Sequence, residues 1–228
     1  EDTEAMVELE HLYEHEGQYV ELFDILDRRT MITQDQDQRI ELVRRQARLA
    51  QNELDRPEDA TDLWRQVYDH DQQDREALSE LSALYADGDQ AHELVQVLRQ
   101  QADMEEDADE EIGLRRQLGT LYSDALGNDI EAIQSWERVR ELDSTDSESL
   151  FALRDLYERT GQEEKLADNL ETQLAEGLID EEDEIRTYEQ LGEIYGDRLG
   201  QVDDAIRCWT EVVERDEAHL DALDRLEA

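Results

Sequence analysis

The sequence predicts an all-α protein built as a solenoid of helical hairpins. Ala, Leu, Glu, Gln and Arg are the residues that lose least on entering a helix, and they are abundant here, whereas the 228 residues include one proline and ten glycines. Three tryptophans recur at intervals of 72 and 73 residues, among apolar residues spaced by three and four positions. Composition therefore indicates the helical class, and the recurrence indicates the solenoid.

Five sets of residues share this interval, which defines a double repeat of about 72 residues. The sets are Trp64, Trp136 and Trp209; Tyr13, Tyr85 and Tyr157; Ala60, Ala132 and Ala205; Leu54, Leu126 and Leu199; and Ile40, Ile112 and Ile185. Because five independent sets of residues share one interval, the sequence contains an internal repeat. Three double repeats fill the chain.

Each double repeat divides into two related hairpins. The first reads L-x-x-L-Y, then a short turn with glycine and an apolar pair four residues apart. The second reads L-G-x-x-Y, a short loop and A-x-x-x-W-x-x-V, with a weaker copy that begins at Ala47. We expect the small residues Ala47, Gly119 and Gly192 to let paired helices approach closely. The aspartate-rich junctions at 69–74, 143–146 and 216 are expected to supply helix N-caps.

The second-hairpin pattern resembles the tetratricopeptide repeat (TPR), a helix–turn–helix of 34 residues. The resemblance implies a right-handed α-α superhelix of about six hairpins, in three double repeats, as one domain over residues 1–228. The predicted motifs cover residues 4–38, 39–74, 75–111, 112–146, 147–184 and 185–220, and residues 221–228 begin a truncated seventh. The chain is therefore expected to be part of a longer array, or an array whose ends meet a neighbour.

The formal net charge of −43 argues against two classes of partner. A phosphate backbone and an anionic membrane surface would both be repelled, so neither nucleic acid nor a membrane is expected as a partner. No run of 18 apolar residues is present, so no membrane insertion is expected.

Lys165 is the only lysine. A GC-rich genome or a salt-adapted host explains that bias as well as partner selection does.

Composition leaves the compartment open. The cytoplasm is favoured, but the chain starts at Glu1 instead of Met, so a removed secretion signal is compatible with the sequence.

Candidate chemical sites are sparse, and each has a structural alternative. His11 and His15 have a zinc-ligand spacing but no third ligand nearby, and a surface pair is the alternative. Asp69, Asp71 and Asp74 suggest a calcium loop without its central glycine, and helix caps are the alternative. Cys208 stands alone. With 65 acids, no carboxylate pair is distinctive, so the sequence predicts no enzyme, no metal and no cofactor. The tryptophans are expected in the core.

In TPR arrays the first helix of each motif lines a concave groove, so the resemblance implies ligand positions on those helices. The predicted partner-binding residues are Arg44, Arg48, Arg116, Thr120, Phe151 and Asp155. The arginines suit a carboxylate or a phosphopeptide. The alternative is that Glu41 pairs with Arg44 or Arg45 along the helix. The Lys and Asn of the family's clamp for chaperone tails are absent.

The sequence thus predicts a non-catalytic protein–protein interaction scaffold that presents a concave groove to a peptide or a partner helix. The competing hypothesis is a structural module that self-associates end to end through the open ends of the solenoid.

Overall fold

The computed structural model is all-α over the residues it describes, which are 3–227 without the side chains of residues 181 and 182. The helices are α1 (Thr3–Glu16), α2 (Tyr19–Ile32), α3 (Gln36–Asn52), α4 (Pro57–His70), α5 (Arg75–Asp87), α6 (Ala91–Met104), α7 (Ala108–Thr120), α8 (Asp129–Leu142), α9 (Ser147–Thr160), α10 (Glu163–Ala175), α11 (Glu181–Glu193), α12 (Val202–Arg215) and α13 (Leu220–Glu227). They fall into two compact units, unit 1 (Glu1–Glu106) and unit 2 (Asp107–Ala228).

In unit 1, each of the helices α1 to α6 packs against the next one along the chain. The first two hairpins share an apolar core in which Leu22, Leu26 and Leu42 are buried, and Tyr13 and Phe23 pack against it from the side. Residues three or four apart put these side chains on one face of each helix. The predicted fold class, an all-α array of helical hairpins, is confirmed in this unit.

Unit 2 has the same organisation from α7 to α13, again with sequential helices in contact. The helices α7 and α11 each end in a π-helical turn, Leu121–Ala125 and Ile194–Leu199. Gly200 then takes a left-handed conformation with φ of 69°, which ends the second of these turns. The array of hairpins therefore continues through this unit.

The three tryptophans lie in the core, as predicted. Trp64, Trp136 and Trp209 are 0%, 3% and 5% exposed. Trp136 packs against the backbone of Gly119, and a Cβ at Gly192 would lie 2.5 Å from Cε2 of Trp209. The glycines thus allow the close approach of helices that their spacing predicts. Trp64 also donates a hydrogen bond of 3.0 Å from its indole nitrogen to a glutamine.

Aspartates cap most of the first helices of the hairpins. Asp74 accepts a hydrogen bond from the backbone N–H of Ala77, and Asp146 accepts one from Ser149. Both positions lie in junctions where caps are predicted. Asp216 is different, because it follows α12 and accepts from Ala218 instead. The cap of α13 is His219, whose Nδ1 lies 3.3 Å from the N–H of Ala222.

Candidate binding surfaces

The first helices of successive hairpins lie side by side in each unit. In unit 1, Arg45 of α3 binds Glu10 of α1 at 3.0 Å, and Gln51 of α3 binds Glu80 of α5 at 2.7 Å. We call the surface formed by α1, α3 and α5 the unit 1 first-helix face. The surface formed by α7, α9 and α11 is the unit 2 first-helix face. All six predicted partner-binding residues lie on these helices.

Arg44 is held by carboxylates of the following hairpin. Its guanidinium lies 2.6 Å from Asp74 and 2.7 Å from Glu76, both near the start of α5, and its side chain is 16% exposed. Glu41, the alternative partner on its own helix, lies 3.3 Å away. The Arg44 guanidinium holds the pKa of the Asp74 carboxyl below its usual range, against the effect of burial. Arg44 therefore joins α3 to the N-terminus of α5.

Arg48 lies one turn further along α3 and reaches the same carboxylate. Its Nε and Nη2 donate to the two oxygens of Glu76 at 2.6 and 2.7 Å, so the pair is bidentate. The Arg48 side chain is 46% exposed. It is the more accessible of the two predicted arginines of unit 1.

Arg116 repeats the arrangement of Arg44 in unit 2. It donates to Asp146, the N-cap of α9, and its Nε lies 3.3 Å from Glu148. Hydrogen bonding to Asp146 raises the pKa of the Arg116 guanidinium. Each of these two arginines pairs with a residue 30 positions later in the chain. In both repeats, an ion pair therefore joins the first helix of one hairpin to the residue that caps the first helix of the next hairpin.

The third double repeat replaces both residues of this pair. Glu189 stands where Arg44 and Arg116 stand in the earlier repeats, and His219 stands in the place of the capping aspartates. The Nε2 of His219 lies 2.8 Å from Glu189. The same two positions thus remain in contact after both side chains have been exchanged.

Phe151 and Asp155 border an open cleft of about 620 Å³ in unit 2. We call it the unit 2 cleft. Phe151 is 39% exposed. Two apolar side chains of the loop before α11, Leu178 and Ile179, complete its apolar part. The cleft lies between α9 and α11 on the unit 2 first-helix face.

The polar lining of the unit 2 cleft contains five carboxylates and three arginines, and each arginine has a partner within the unit. Arg154 lies over the Phe151 ring, with its Cζ 5.8 Å from the ring centroid. Arg186 lies 2.9 Å from Asp183, and Arg198 lies 2.8 Å from Glu163. None of these arginines is among the predicted site residues. They have no recurring counterparts among the three double repeats, so the repeat pattern gave no signal for them.

Thr120 is exposed at the end of α7, between one contact that α7 makes with α9 and one that the following π-helical turn makes with α9. Arg116 reaches Glu148 one turn before it, and Ser123 accepts from Arg159 at 3.2 Å one turn after it. Thr120 therefore faces the α9 side of the unit 2 first-helix face. The structure places Arg116, Thr120, Phe151 and Asp155 on this face, and Arg44 and Arg48 on that of unit 1.

The other candidate sites have ordinary surroundings. Within residues 3–227, no group of three His, Cys, Asp or Glu side chains is arranged to hold a metal ion. His11 and His15 are exposed. Burial raises the pKa of the Cys208 thiol to about 11, so it is not a reactive thiolate at neutral pH. Over the same residues, no helix is both long enough and apolar enough to cross a bilayer.

Comparisons with known proteins show similarity of fold alone. No protein-family model matches the chain, and no curated protein sequence matches it. Among solved structures, MamA is 19% identical, with a TM-score of 0.41 over 73% of this chain and 92% of MamA. A TPR protein from Parabacteroides merdae ATCC 43184 is 11% identical, with a TM-score of 0.44 over 98% and 97%. YrrB, described as a TPR protein with an unusual peptide-binding site, is 15% identical, with a TM-score of 0.42 over 82% and 91%. The chain is similar to such proteins in fold, as its sequence predicts.

Proposed function

We propose that the chain is a non-catalytic protein–protein interaction scaffold whose unit 2 first-helix face holds an extended peptide or a partner helix. The observation that supports this is the exposed Phe151 beside a cleft of about 620 Å³. Aromatic side chains, phenylalanine included, and arginines are enriched in protein–protein interfaces. The cleft combines such an aromatic group with flanking charges, which suits recognition of a polypeptide.

The residues of this surface have distinct roles in the proposal. Phe151, with Leu178 and Ile179, provides an apolar anchor, and Asp155 provides a polar contact in the same cleft. Thr120 provides a further polar contact outside the cleft, on α7. Arg116 is already engaged by Asp146, so a ligand carboxylate would have to replace that partner. The same holds for Arg44 and Arg48 in unit 1. The proposal therefore depends on Phe151 more than on the arginines.

A phage-displayed library of random peptides, selected on the purified chain, tests this proposal. We expect the enriched peptides to bind the Phe151→Ala variant about tenfold more weakly or worse, because an aromatic anchor at an interface contributes that much. The matched control is Ile130→Ala, since Ile130 is 67% exposed but lies on α8, outside the first-helix face.

Two results would contradict the proposal. The first is a set of peptides that binds both variants as tightly as the wild type. The second is a set that is lost with Ile130→Ala and kept with Phe151→Ala. Circular dichroism of both variants must match the wild type, so that loss of binding is not loss of folding.

A second candidate function, end-to-end assembly, is favoured by the exposure of α1. Leu9 and Leu12 are 37% and 47% exposed, whereas Leu81 and Leu153, which are equivalent to Leu9, are 1% and 0% exposed. In those two repeats α4 packs against α5 and α8 packs against α9. A helix from a second copy of the chain would cover the same face of α1.

Light scattering over a range of protein concentrations tests the assembly. The proposal expects the mass to rise with concentration, and the variant Leu9→Glu/Leu12→Glu to remain monomeric. Met31→Glu is the control, because Met31 is 74% exposed in the same unit but lies on α2. A wild type that stays monomeric at every concentration would exclude this function.

A further inference from the structure

A cleft of about 690 Å³ lies in unit 1, where the first half of α4 meets the end of α5 and the start of α6. We call it the Tyr85 cleft. It is lined by Asp55, Pro57, Glu58, Thr61, Asp62, Arg65, Leu84, Tyr85, Asp87, Gly88, Gln90 and Glu93. Five of these side chains are carboxylates and one is a guanidinium, so the formal charge of the lining is −4. None of the predicted partner-binding residues lies in this cleft.

Tyr85 is a buried polar side chain that lines the Tyr85 cleft. The residue is only 5% exposed. Within residues 3–227, its hydroxyl has no hydrogen-bond partner, unlike that of its counterpart in unit 2. Burial raises the pKa of the hydroxyl, Arg65 works in the opposite direction, and Glu93 and Asp62 add to the increase. Carboxylates therefore lie within electrostatic reach of the Tyr85 hydroxyl.

The equivalent site of unit 2 contains a cation from the chain itself. Tyr157, 72 residues after Tyr85, is also 5% exposed and donates from its hydroxyl to Oε1 of Glu137 at 2.9 Å. The ammonium of Lys165 lies 2.7 Å from the same oxygen and 5.6 Å from the centroid of the Tyr157 ring. This is a tyrosine, a carboxylate and an ammonium in mutual contact.

In unit 1, the two residues at the positions of Glu137 and Lys165 carry the opposite charges. Arg65 stands at the position of Glu137, and Glu93 stands at the position of Lys165. The twelve residues of unit 2 that are equivalent to the cleft lining contain two carboxylates and two cations, so their formal charge is 0. Unit 1 thus has the tyrosine and an excess of carboxylates but no ammonium of its own. Lys165, the only lysine in the chain, supplies it in unit 2.

We propose that the Tyr85 cleft binds a lysine side chain of a partner protein, with its ammonium group beside Tyr85, Glu93 and Asp62, as Lys165 lies beside Tyr157 and Glu137 in unit 2. An ammonium is a compact donor of three hydrogen bonds, so it can serve the hydroxyl oxygen and two carboxylates together. The four-carbon stem lets it reach a recessed site from an exposed partner backbone. This interaction is separate from the unit 2 cleft, and its test does not depend on that cleft.

The proposal is tested by titrating the protein, with its tyrosine rings labelled with ¹³C, with a short peptide. The probe is acetyl-Gly-Ser-Lys-Ser-Gly-amide, and the control peptide carries norleucine in place of lysine. NMR of ¹³C-labelled tyrosine rings follows each site, and Tyr85→Phe assigns the Tyr85 signal. We expect the lysine peptide to shift the Tyr85 signal in a saturable manner, with the Tyr157 signal unchanged and no effect of the control peptide.

A charge-neutral exchange separates specific binding from attraction to an acidic surface. The double variant Arg65→Glu/Glu93→Lys copies the arrangement of unit 2 and leaves the net charge of the chain at its wild-type value. Because its own lysine then occupies the site, we expect the apparent affinity for the peptide to fall about tenfold or more. The reverse double variant, Glu137→Arg/Lys165→Glu, is expected to create a saturable shift at Tyr157.

Two outcomes would overturn the proposal. One is an equal shift of several tyrosine signals without saturation, which indicates only general attraction of a cation to an acidic chain. The other is unchanged binding by Arg65→Glu/Glu93→Lys while circular dichroism shows the wild-type fold. Selected peptides that bind Phe151→Ala as tightly as the wild type, together with a saturable Tyr85 shift, would contradict the proposed function of unit 2 and leave this inference standing.

Discussion

The surfaces around Tyr85 in unit 1 and Tyr157 in unit 2 derive from the same repeat but differ in charge. Both tyrosines are 5% exposed, and the apolar neighbours Leu84 and Leu156 are the same residue type. Around them the formal charge changes from −4 in unit 1 to 0 in unit 2. Packing fixes the buried positions of a repeat, whereas exposed positions are free to exchange sign. Two units of one fold can therefore present different surfaces to partners.

The junctions between hairpins show the same freedom at partly buried positions. The pairs Arg44–Asp74 and Arg116–Asp146 occur in the first two double repeats, and Glu189–His219 occurs in the third. Contact is kept in every repeat although both residue types differ in the last. The pairing, more than the identity of either residue, is what the architecture retains.

The largest effect is expected from removal of the charge at the first junction. Asn is also a good N-cap, so Asp74→Asn keeps the cap of α5 and removes the charged partner of Arg44. We expect the free energy of unfolding to fall by about 1.5–3 kcal/mol, measured by urea denaturation at pH 7. Glu41→Gln is the control, because Glu41 is 60% exposed and its loss should cost less than about 1 kcal/mol.

The pH dependence of this difference checks its electrostatic origin. The folded protein lowers the pKa of Asp74, so the stabilisation is complete above the unfolded-state value of about 3.9 and is lost as pH falls through the lowered pKa. The difference between wild type and Asp74→Asn should be constant from pH 7 to about pH 5 and shrink below pH 4. A difference that grows on acidification would refute the ion pair as its cause.

The second-largest loss of stability is expected where a tryptophan packs closely against the backbone of the neighbouring helix. Gly119 lies against Trp136, whereas the equivalent Ala47 of unit 1 accommodates a Cβ in a site that is 0% exposed. We expect Gly119→Ala to lower the free energy of unfolding by about 1–3 kcal/mol through overpacking. The reciprocal variant Ala47→Gly should lose only about 0.5–1 kcal/mol, through backbone entropy. If Gly119→Ala raised the free energy of unfolding instead, Trp136 would have to move and make room for the added methyl group.

The hairpins and their core could be predicted from the sequence because packing forces one residue type at each recurring position. Trp64 and Gly119 illustrate this, since their burial and close approach follow from the spacing alone. The partner of Arg44 could not be predicted, because 65 acids offered many choices and only the packing of α3 on α5 selects Asp74. The unit 2 cleft depends on Leu178 and Ile179 of a loop that does not repeat.

A smaller effect is expected where the Tyr85 and Tyr157 surfaces differ. Glu137→Gln removes the carboxylate that Tyr157 and Lys165 share, and we expect a loss of about 1 kcal/mol because Glu137 and Lys165 are 34% and 50% exposed. The equivalent change in unit 1, Arg65→Gln, is expected to alter stability by less than about 0.5 kcal/mol. Equal losses in urea denaturation would mean that Arg65 has a structural role like that of Glu137, and the two surfaces would differ less than their charges suggest.

The smallest effect is expected at the third junction, where a double-mutant cycle separates pairing from residue identity. His219→Asp alone places a carboxylate beside Glu189 and should lower stability by about 0.5–1 kcal/mol through repulsion. Glu189→Arg/His219→Asp restores the pair of the first two junctions and should recover that loss, with a net change of about 0.5 kcal/mol or less relative to wild type. If the two single changes simply add, Glu189 and His219 are not coupled, and the third junction is held by the packing of α12 against α13 and not by the contact between these two side chains.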